Sequence, residues 1–263
     1  MFYKKCLLVV VLPLFFMLAQ AKSIVLGTAE WPPYVQNSTN SKGYAYEIVL
    51  AAFKAAGYDQ VKIVFMPWDD AVKAVNQGEL DGLFPEYYSK KRTKDILYTD
   101  SFSESPIGFY KEVGSNIHYP NSEPDKSISQ TLNEMKEYHF GVVNGYINAA
   151  AFDKNKQLIK MYADSDEDNL TQLYEGKVDL ALIDEYTAEY ILEHQLPSDY
   201  QEKLVFMNPP LIYKKLYVGI SRKNLAAQEI VSNFNQGLEI IKKNGLFNQI
   251  MDRDAEVNDE HLG

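Results

Sequence analysis

A short stretch of this 263-residue chain occurs twice, and each copy carries a carboxylate at its end. "GELDGLFPE" spans residues 78–86, and "GKVDLALIDE" spans residues 176–185. Three pairs match when the copies are overlaid: Gly78 with Gly176, Asp81 with Asp179, and Glu86 with Asp184. Two carboxylates at related positions could hold a cation, or could work as an acid and a base. Their spacing singles out no acid and base, which favours a binding site.

Aromatic residues stand at comparable places, where other apolar runs end. Trp31 and Tyr34 lie in "AEWPPY" after the first run, and Trp68 lies in "MPWDD" after the second. Tyr87 follows the first of the two carboxylates, and Tyr146 follows "FGVV". The carboxyl ends of parallel strands meet at one edge of an open sheet, where ligands bind. We therefore predict that these residues and the two carboxylates face one another across a cleft.

The elements that would position these residues alternate between strand and helix. "SIVLGT" predicts a strand, "YAYEIVLAAFKAAG" a helix, "VKIVFM" a strand, and "WDDAVKAVNQG" a helix before the strand "DGLF". The pattern restarts at "FGVV" and continues through "LIKMY", "SDEDNLTQLYEG" and "LALI". Each half therefore has a β-α-β-α-β order, which is typical of a parallel sheet flanked by helices. The repeated stretch marks the third strand of each half.

Two extended runs connect the halves, at residues 106–114 and 203–221. A long amphipathic helix is predicted over residues 225–251, and its apolar face needs a sheet or helix to pack on. The simplest topology has the chain cross to a second lobe and return to the first, through a two-stranded hinge. The predicted boundaries are residues 22–111 and 209–253 for lobe one, 112–208 for lobe two, and 254–263 for a polar tail.

The first 21 residues have the pattern of a secretory signal peptide. Two lysines precede an apolar run from Cys6 to Leu18, and "AQA" ends at Ala21. Cys6 is the only cysteine and does not stand at the cleavage point, so we expect no lipid anchor. The mature chain would then have no thiol for disulfides, metal binding or catalysis. These features predict export to a bacterial periplasm.

The charge balance excludes several classes of partner. The chain has 26 basic and 36 acidic residues, for a net charge of −10, so nucleic acid and anionic membranes are poor candidates. The four histidines show no metal-ligand spacing, and no nucleotide-binding or hydrolase motif occurs. We therefore expect no metal and no cofactor.

The chain resembles the periplasmic solute-binding proteins of ABC importers, in the polar amino-acid type called family 3. The segments "SKKRTKDILYTDSF" and "VDLALIDEYTAEYIL" carry the resemblance, together with "LYVGISRKN" and "GLEIIKKNGLFNQI". The resemblance covers nearly the whole mature chain. It implies the type II periplasmic-binding fold of two α/β lobes, and a protein that closes on a small polar solute. It also implies an inner-membrane permease as partner and a monomeric state.

The same resemblance assigns roles to individual residues. Arg92 would grip the carboxylate of a ligand, and Asp184 would hold its ammonium group. The family's aromatic sandwich falls on Trp31 and Trp68. A guanidinium fork matches a carboxylate, and indole faces suit a flat or cationic group.

"FPEYYS" departs from the family pattern and changes the expected ligand. Pro85, Glu86 and Tyr87 stand where the family's small hydroxyl residues would donate to a carboxylate, and Tyr146 or Ile147 replaces another hydroxyl. The predicted site is larger, more aromatic and more acidic than a standard amino-acid pocket. A cationic amino acid, a small peptide-like molecule or an aromatic amine would fit it better than glutamate. Two alternative functions stay open: a dehydratase-like periplasmic enzyme on the same scaffold, and a sensory module acting in trans. The sequence shows no attached signalling domain, which disfavours the sensory module.

Overall fold

The computed structural model describes residues 22–39, 41–120 and 126–259, with side chains to Arg253. The predicted signal peptide, residues 1–21, lies outside the described residues. The first half contains three strands and two helices: β1 Lys22–Thr28, α1 Tyr44–Ala55, β2 Tyr58–Phe65, α2 Trp68–Gln77 and β3 Gly82–Tyr87. Helix α1 buries Ile48, Ala52 and Phe53 on one face, as its 3.6-residue periodicity predicts.

The second half repeats this order with additional short elements. Its elements are α3 Ile128–Glu134, β6 His139–Val143, α4 Ala150–Asp153, β7 Ile159–Ala163, α5 Asp166–Tyr174, β8 Leu180–Asp184, α6 Glu185–His194, α7 Asp199–Lys203 and β9 Leu204–Phe206. Helix α3 was not predicted. A capping box between Ser127 and Gln130 begins it.

Two long strands join the halves: β5 Ser103–Glu112 and β10 Ile212–Ser221, with the short β4 Ile96–Tyr98 beside β10. Strands β5 and β10 pair antiparallel with each other, from Ser103–Leu216 to Ile107–Ile212. The strand order is β2-β1-β3-β10-β5-β8-β6-β7. The three strands at each end of this order, β2-β1-β3 and β8-β6-β7, pair in parallel. The pairings of β3 with β10 and of β5 with β8 are antiparallel. The two crossing strands form the predicted two-stranded hinge.

The C-terminal segment folds as two helices where one was predicted: α8 Ala227–Lys243 and α9 Leu246–Asp259. The break lies at Gly245, whose φ of +84° is left-handed and therefore incompatible with a continuous helix. Helix α8 packs on α1, as the return of the chain to lobe one requires. The helical backbone of α9 extends into the predicted tail as far as Asp259.

The buried apolar residues divide at the crossing strands. One pair of core clusters draws on residues 24–102 and 216–250, and the other pair draws on residues 107–212. We call the two bodies lobe one and lobe two. The fold is the predicted two-lobed α/β architecture, in which helices flank one sheet that runs continuously through both lobes. The residue boundaries of the lobes given above stay a prediction.

The structure explains the repeated stretch. Asp81 accepts the backbone N–H of Val25 at 2.8 Å, and Asp179 accepts that of His139 at 2.7 Å. Each aspartate therefore ties the first strand of its lobe to the loop before the third strand. Gly78 and Gly176, with φ of +82° and +69°, end the preceding helices in the conformation that glycine favours.

Candidate functional site

A cavity of about 330 Å³ lies between the lobes, and we call it the cleft. Its size is in the range typical of small-molecule sites. Seven of the eight sequence-predicted residues line it: Trp31, Trp68, Glu86, Tyr87, Arg92, Tyr146 and Asp184. The eighth, Tyr34, is fully buried and lies behind the wall, so it does not line the cleft.

Aromatic rings form much of the lobe-one wall. Trp31 packs on Tyr34 with ring centroids 4.5 Å apart, and it meets Tyr87 edge-on at 5.7 Å. Trp68 lies near Arg92, whose guanidinium carbon is 5.8 Å from the indole centroid. The two indoles therefore enter the cleft from different elements, because Trp31 follows β1 and Trp68 begins α2. These faces suit methylene groups and cations.

Glu86 and Arg92 form an ion pair on the same wall. Nη1 of Arg92 donates to both carboxylate oxygens of Glu86 at 2.7 Å. Glu86 is 4% exposed, at the end of β3. Burial raises the pKa of Glu86 to about 7, and the Arg92 guanidinium opposes that rise. Nη2 of Arg92 is buried and has no hydrogen-bond partner among the described residues.

Asp184 ends β8 and begins α6, so it has a structural role as well as a place on the wall. Its Oδ1 accepts the backbone N–H of Thr187 at 2.8 Å, which caps α6. Its Oδ2 accepts the hydroxyl of Tyr34 at 2.7 Å and that of Ser105. Burial raises the pKa of Asp184, and these hydrogen bonds oppose the rise.

Three hydrogen bonds join parts of the chain that are far apart in sequence. Tyr34 of lobe one bonds Asp184 of lobe two, and Nε1 of Trp31 donates to the hydroxyl of Thr187 at 3.1 Å. Nζ of Lys214, on β10, donates to the carbonyl of Ile147 at 2.5 Å. The predicted cleft residues therefore include groups that also hold the lobes together.

Lys214 was not predicted, and it lies beside the cleft, in contact with two residues that line it, Tyr87 and Ile147. Its Nζ lies 3.5 Å from the ring centroid of Tyr87, and burial lowers the pKa of Lys214 to about 8. The sequence "IYKKLY" does not indicate that Lys214 lies next to the cleft, because its pattern is typical of an ordinary half-exposed strand.

Asp166 also lines the cleft and was not predicted. Its Oδ2 accepts the hydroxyl of Tyr146 at 3.0 Å, and burial raises the pKa of Asp166 to about 6. Asp166 begins α5 just after β7. The rule that selected Trp68 and Asp184, a residue following a parallel strand, could also have found Asp166.

Two features are absent from the part of the chain that the structure describes. It holds no group of three or more His, Cys, Asp or Glu side chains arranged to bind a metal ion. None of its helices is long and apolar enough to cross a membrane.

Comparison with known proteins shows which family the sequence matches. The model of the bacterial extracellular solute-binding proteins, family 3, matches residues 24–253. The chain is 23% identical over 241 residues to the arginine-binding periplasmic protein of Mannheimia haemolytica, covering 89% of this chain and 92% of that one.

Solved structures share the fold. An ancestral arginine-binding protein bound to arginine superposes with a TM-score of 0.66 at 18% identity, covering 88% of this chain and 97% of that chain. A histidine kinase sensor domain with similarity to periplasmic binding proteins superposes with a TM-score of 0.69 at 20% identity, covering 89% and 96%. At these identities the structural similarity shows the fold alone.

Proposed function

Because the chain belongs to family 3 of the bacterial extracellular solute-binding proteins, we propose that it captures a small cationic solute, an amino acid or a related amine. We further propose that it does so in the periplasm, as a monomer, and delivers the solute to an inner-membrane ABC permease. No cofactor is required, because binding needs only the side chains of the cleft.

The excess of carboxylates in the cleft carries this proposal. Its lining includes four of them and one guanidinium: Glu30, Glu86, Asp166 and Asp184 against Arg92. Lys214 lies beside the lining, against Tyr87, and adds a second cation, which still leaves the carboxylates in excess. A cation would compensate the unmatched negative charge, whereas an acidic solute would add to it. The indoles of Trp31 and Trp68 would cover the apolar or delocalised part of the same solute.

The mechanism follows from the position of the cleft. Residues of both lobes line it, so a solute held between them stabilises the arrangement in which the walls are close. Strands β5 and β10 are the connections that would bend when the lobes separate. The name of the Mannheimia haemolytica relative, an arginine-binding protein, agrees with a basic solute.

A calorimetric screen tests the proposal. We expect arginine, lysine or their amine derivatives to bind, and glutamate and aspartate to give no heat. Trp31 and Trp68 are the only tryptophans and both line the cleft, so intrinsic fluorescence should change with the same solutes. Binding of glutamate with the basic solutes silent would contradict the proposal.

Further measurements distinguish two alternative functions, an enzyme and a sensor, from the proposed one. An enzyme on this scaffold would convert the bound solute, which NMR of the solute after incubation would reveal. A sensory role is the second candidate, because the fold is shared with a histidine kinase sensor domain. Deleting the gene should reduce uptake of the radiolabelled solute if the protein serves a permease, whereas a sensor would leave uptake kinetics unchanged.

A further inference from the structure

Arg92 is already paired with a carboxylate of the chain itself. Nη1 is bonded to both oxygens of Glu86, and Nη2 is buried with no hydrogen-bond partner among the described residues. A carboxylate brought to this guanidinium would lie beside the Glu86 carboxylate, which is itself buried. Two neighbouring carboxylates in a poorly hydrated site repel each other strongly.

Asp184 is also engaged by the chain itself. It accepts from Tyr34 and Ser105 on one oxygen and from the backbone of Thr187 on the other. A carboxylate has about four acceptor positions, so these three bonds leave little capacity for an ammonium group. With only 7% of its surface exposed, Asp184 presents little to the cleft.

Asp166 is different, because it lines the cleft and has capacity to spare. Only the hydroxyl of Tyr146 donates to it among the hydrogen bonds between described residues, and no ion pair with a described residue neutralises it. The raised pKa of Asp166 agrees with a carboxylate that lacks a cationic neighbour. A cation placed against Asp166 would also lie between lobe two and the indoles of lobe one.

We propose that the solute is an amine without a carboxylate, and that its ammonium or guanidinium group binds Asp166. This inference rests on the proposed function and narrows its ligand class. The two groups that would grip the charged ends of an α-amino acid, Arg92 and Asp184, are already bonded within the chain. Two lining carboxylates remain: Glu30 is exposed and accepts the backbone N–H of Asn37, whereas Asp166 is half-buried and accepts the Tyr146 hydroxyl. Asp166 is the better partner for a cation, because a charge pair is stronger where less water screens it.

Matched solute pairs that differ only in a carboxylate test the proposal. Arginine is compared with agmatine, and lysine with cadaverine, by calorimetry on the purified mature chain. We expect agmatine and cadaverine to bind at least about tenfold more tightly than their amino acids. Equal or tighter binding of arginine and lysine would overturn the inference and leave the proposed function standing. Binding of none of the four solutes would overturn both.

Substitutions locate the effect. Asp166→Asn should weaken agmatine binding by at least about tenfold, because it removes the charge and keeps the shape. Glu86→Gln should release Arg92 and narrow the difference between agmatine and arginine. Glu239→Gln, on the exposed face of α8, is the matched control and should change neither affinity. Circular dichroism confirms that each variant is folded. An Asp166→Asn protein that is folded and keeps its full affinity for agmatine would overturn the assignment.

Discussion

Glu86 shows how a single buried carboxylate can couple ligand binding to stability. Desolvation raises its pKa to about 7 in spite of the Arg92 pair, against an ordinary value of 4.5. Burial likewise raises the pKa of Asp166 to about 6. A protonated acid is therefore favoured in the folded protein, and a bound cation would shift both groups back toward the ionised form.

The pH dependence of stability should follow from these raised values. The pKa of Glu86 is higher in the folded protein, about 7, than in the unfolded chain, about 4.5. The free energy of unfolding is therefore highest below pH 4.5, where Glu86 is protonated in both the folded and the unfolded state, and it falls as the pH rises through 7. The shift corresponds to about 3 kcal/mol. Lys214 adds almost no slope below about pH 7, where it is charged in both states, and it opposes the loss only slightly at pH 7.5. We expect the free energy of unfolding without solute to be higher at pH 5 than at pH 7.5.

Chemical denaturation at the two pH values measures this difference. Glu86→Gln should reduce it, because the variant side chain does not titrate. The control Glu239→Gln should retain the wild-type difference. A protein that is more stable at pH 7.5 than at pH 5 would show that the carboxylates are not destabilised by burial.

Agmatine affinity should have the opposite pH dependence. Ionised Glu86 and Asp166 favour a cationic solute, so lowering the pH from 7.5 to 5 should weaken binding through protonation of both groups. Calorimetry at both pH values measures the change, and Asp166→Asn should lessen it. Tighter agmatine binding at pH 5 would contradict this account.

At the scale of elements, the contact between α1 and α8 ties the end of the chain to lobe one. Gly237 of α8 is buried against the carbonyl of Ala52, and a Cβ on Gly237 would lie 1.9 Å from that oxygen. The helices approach this closely because residue 237 has no side chain. The packing of lobe one therefore includes a helix contact between residues 185 positions apart, Ala52 and Gly237.

Gly237→Ala should destabilise the protein, although alanine is the better helix former. The propensity gain of about 1 kcal/mol is outweighed by the clash with Ala52, and we expect a net loss of about 2 kcal/mol or more. Gln236→Ala, at the neighbouring exposed position, should be nearly neutral. Thermal unfolding of both variants gives the comparison. A stabilised Gly237→Ala protein would mean that the two helices are not in the described contact.

At the scale of the whole molecule, three hydrogen bonds between described residues connect the lobes or the hinge next to the cleft. The bonds of Tyr34 to Asp184 and of Trp31 to Thr187 connect lobe one to α6. Lys214 connects the hinge strand β10 to the loop after β6. The arrangement of the lobes and the shape of the cleft therefore depend on the same side chains.

Tyr34→Phe should weaken solute binding although Tyr34 does not line the cleft. Removing the hydroxyl takes a donor from buried Asp184 and one bond from between the lobes, and we expect a loss of about tenfold in agmatine affinity. Tyr58→Phe is the matched control, since the buried Tyr58 hydroxyl accepts from Asn233 within lobe one. Calorimetry measures affinity, and small-angle scattering measures the separation of the lobes. Unchanged or tighter agmatine binding would contradict the role given to Tyr34.

The elements and the position of the cleft could be predicted from the sequence because they depend on local patterns. Period-3.6 and strand-like runs indicated α1, α2 and the six parallel strands, and the repeated stretch indicated two related lobes. The rule that residues after parallel strands meet at one edge indicated six of the side chains that line the cleft, and the family resemblance added Arg92. The same rule would have added Asp166, had it been applied after β7.

Only the tertiary structure decided how those side chains are paired. Arg92 meets Glu86 because a 3-10 turn, Arg92–Lys94, directs it back to the end of β3. Asp184 meets Tyr34, 150 positions away, because the crossing strands bring α6 against lobe one. Residue types and spacing indicate which groups can reach a site. Which donor finds which acceptor depends on the relative position of elements distant in sequence, and no local pattern encodes it.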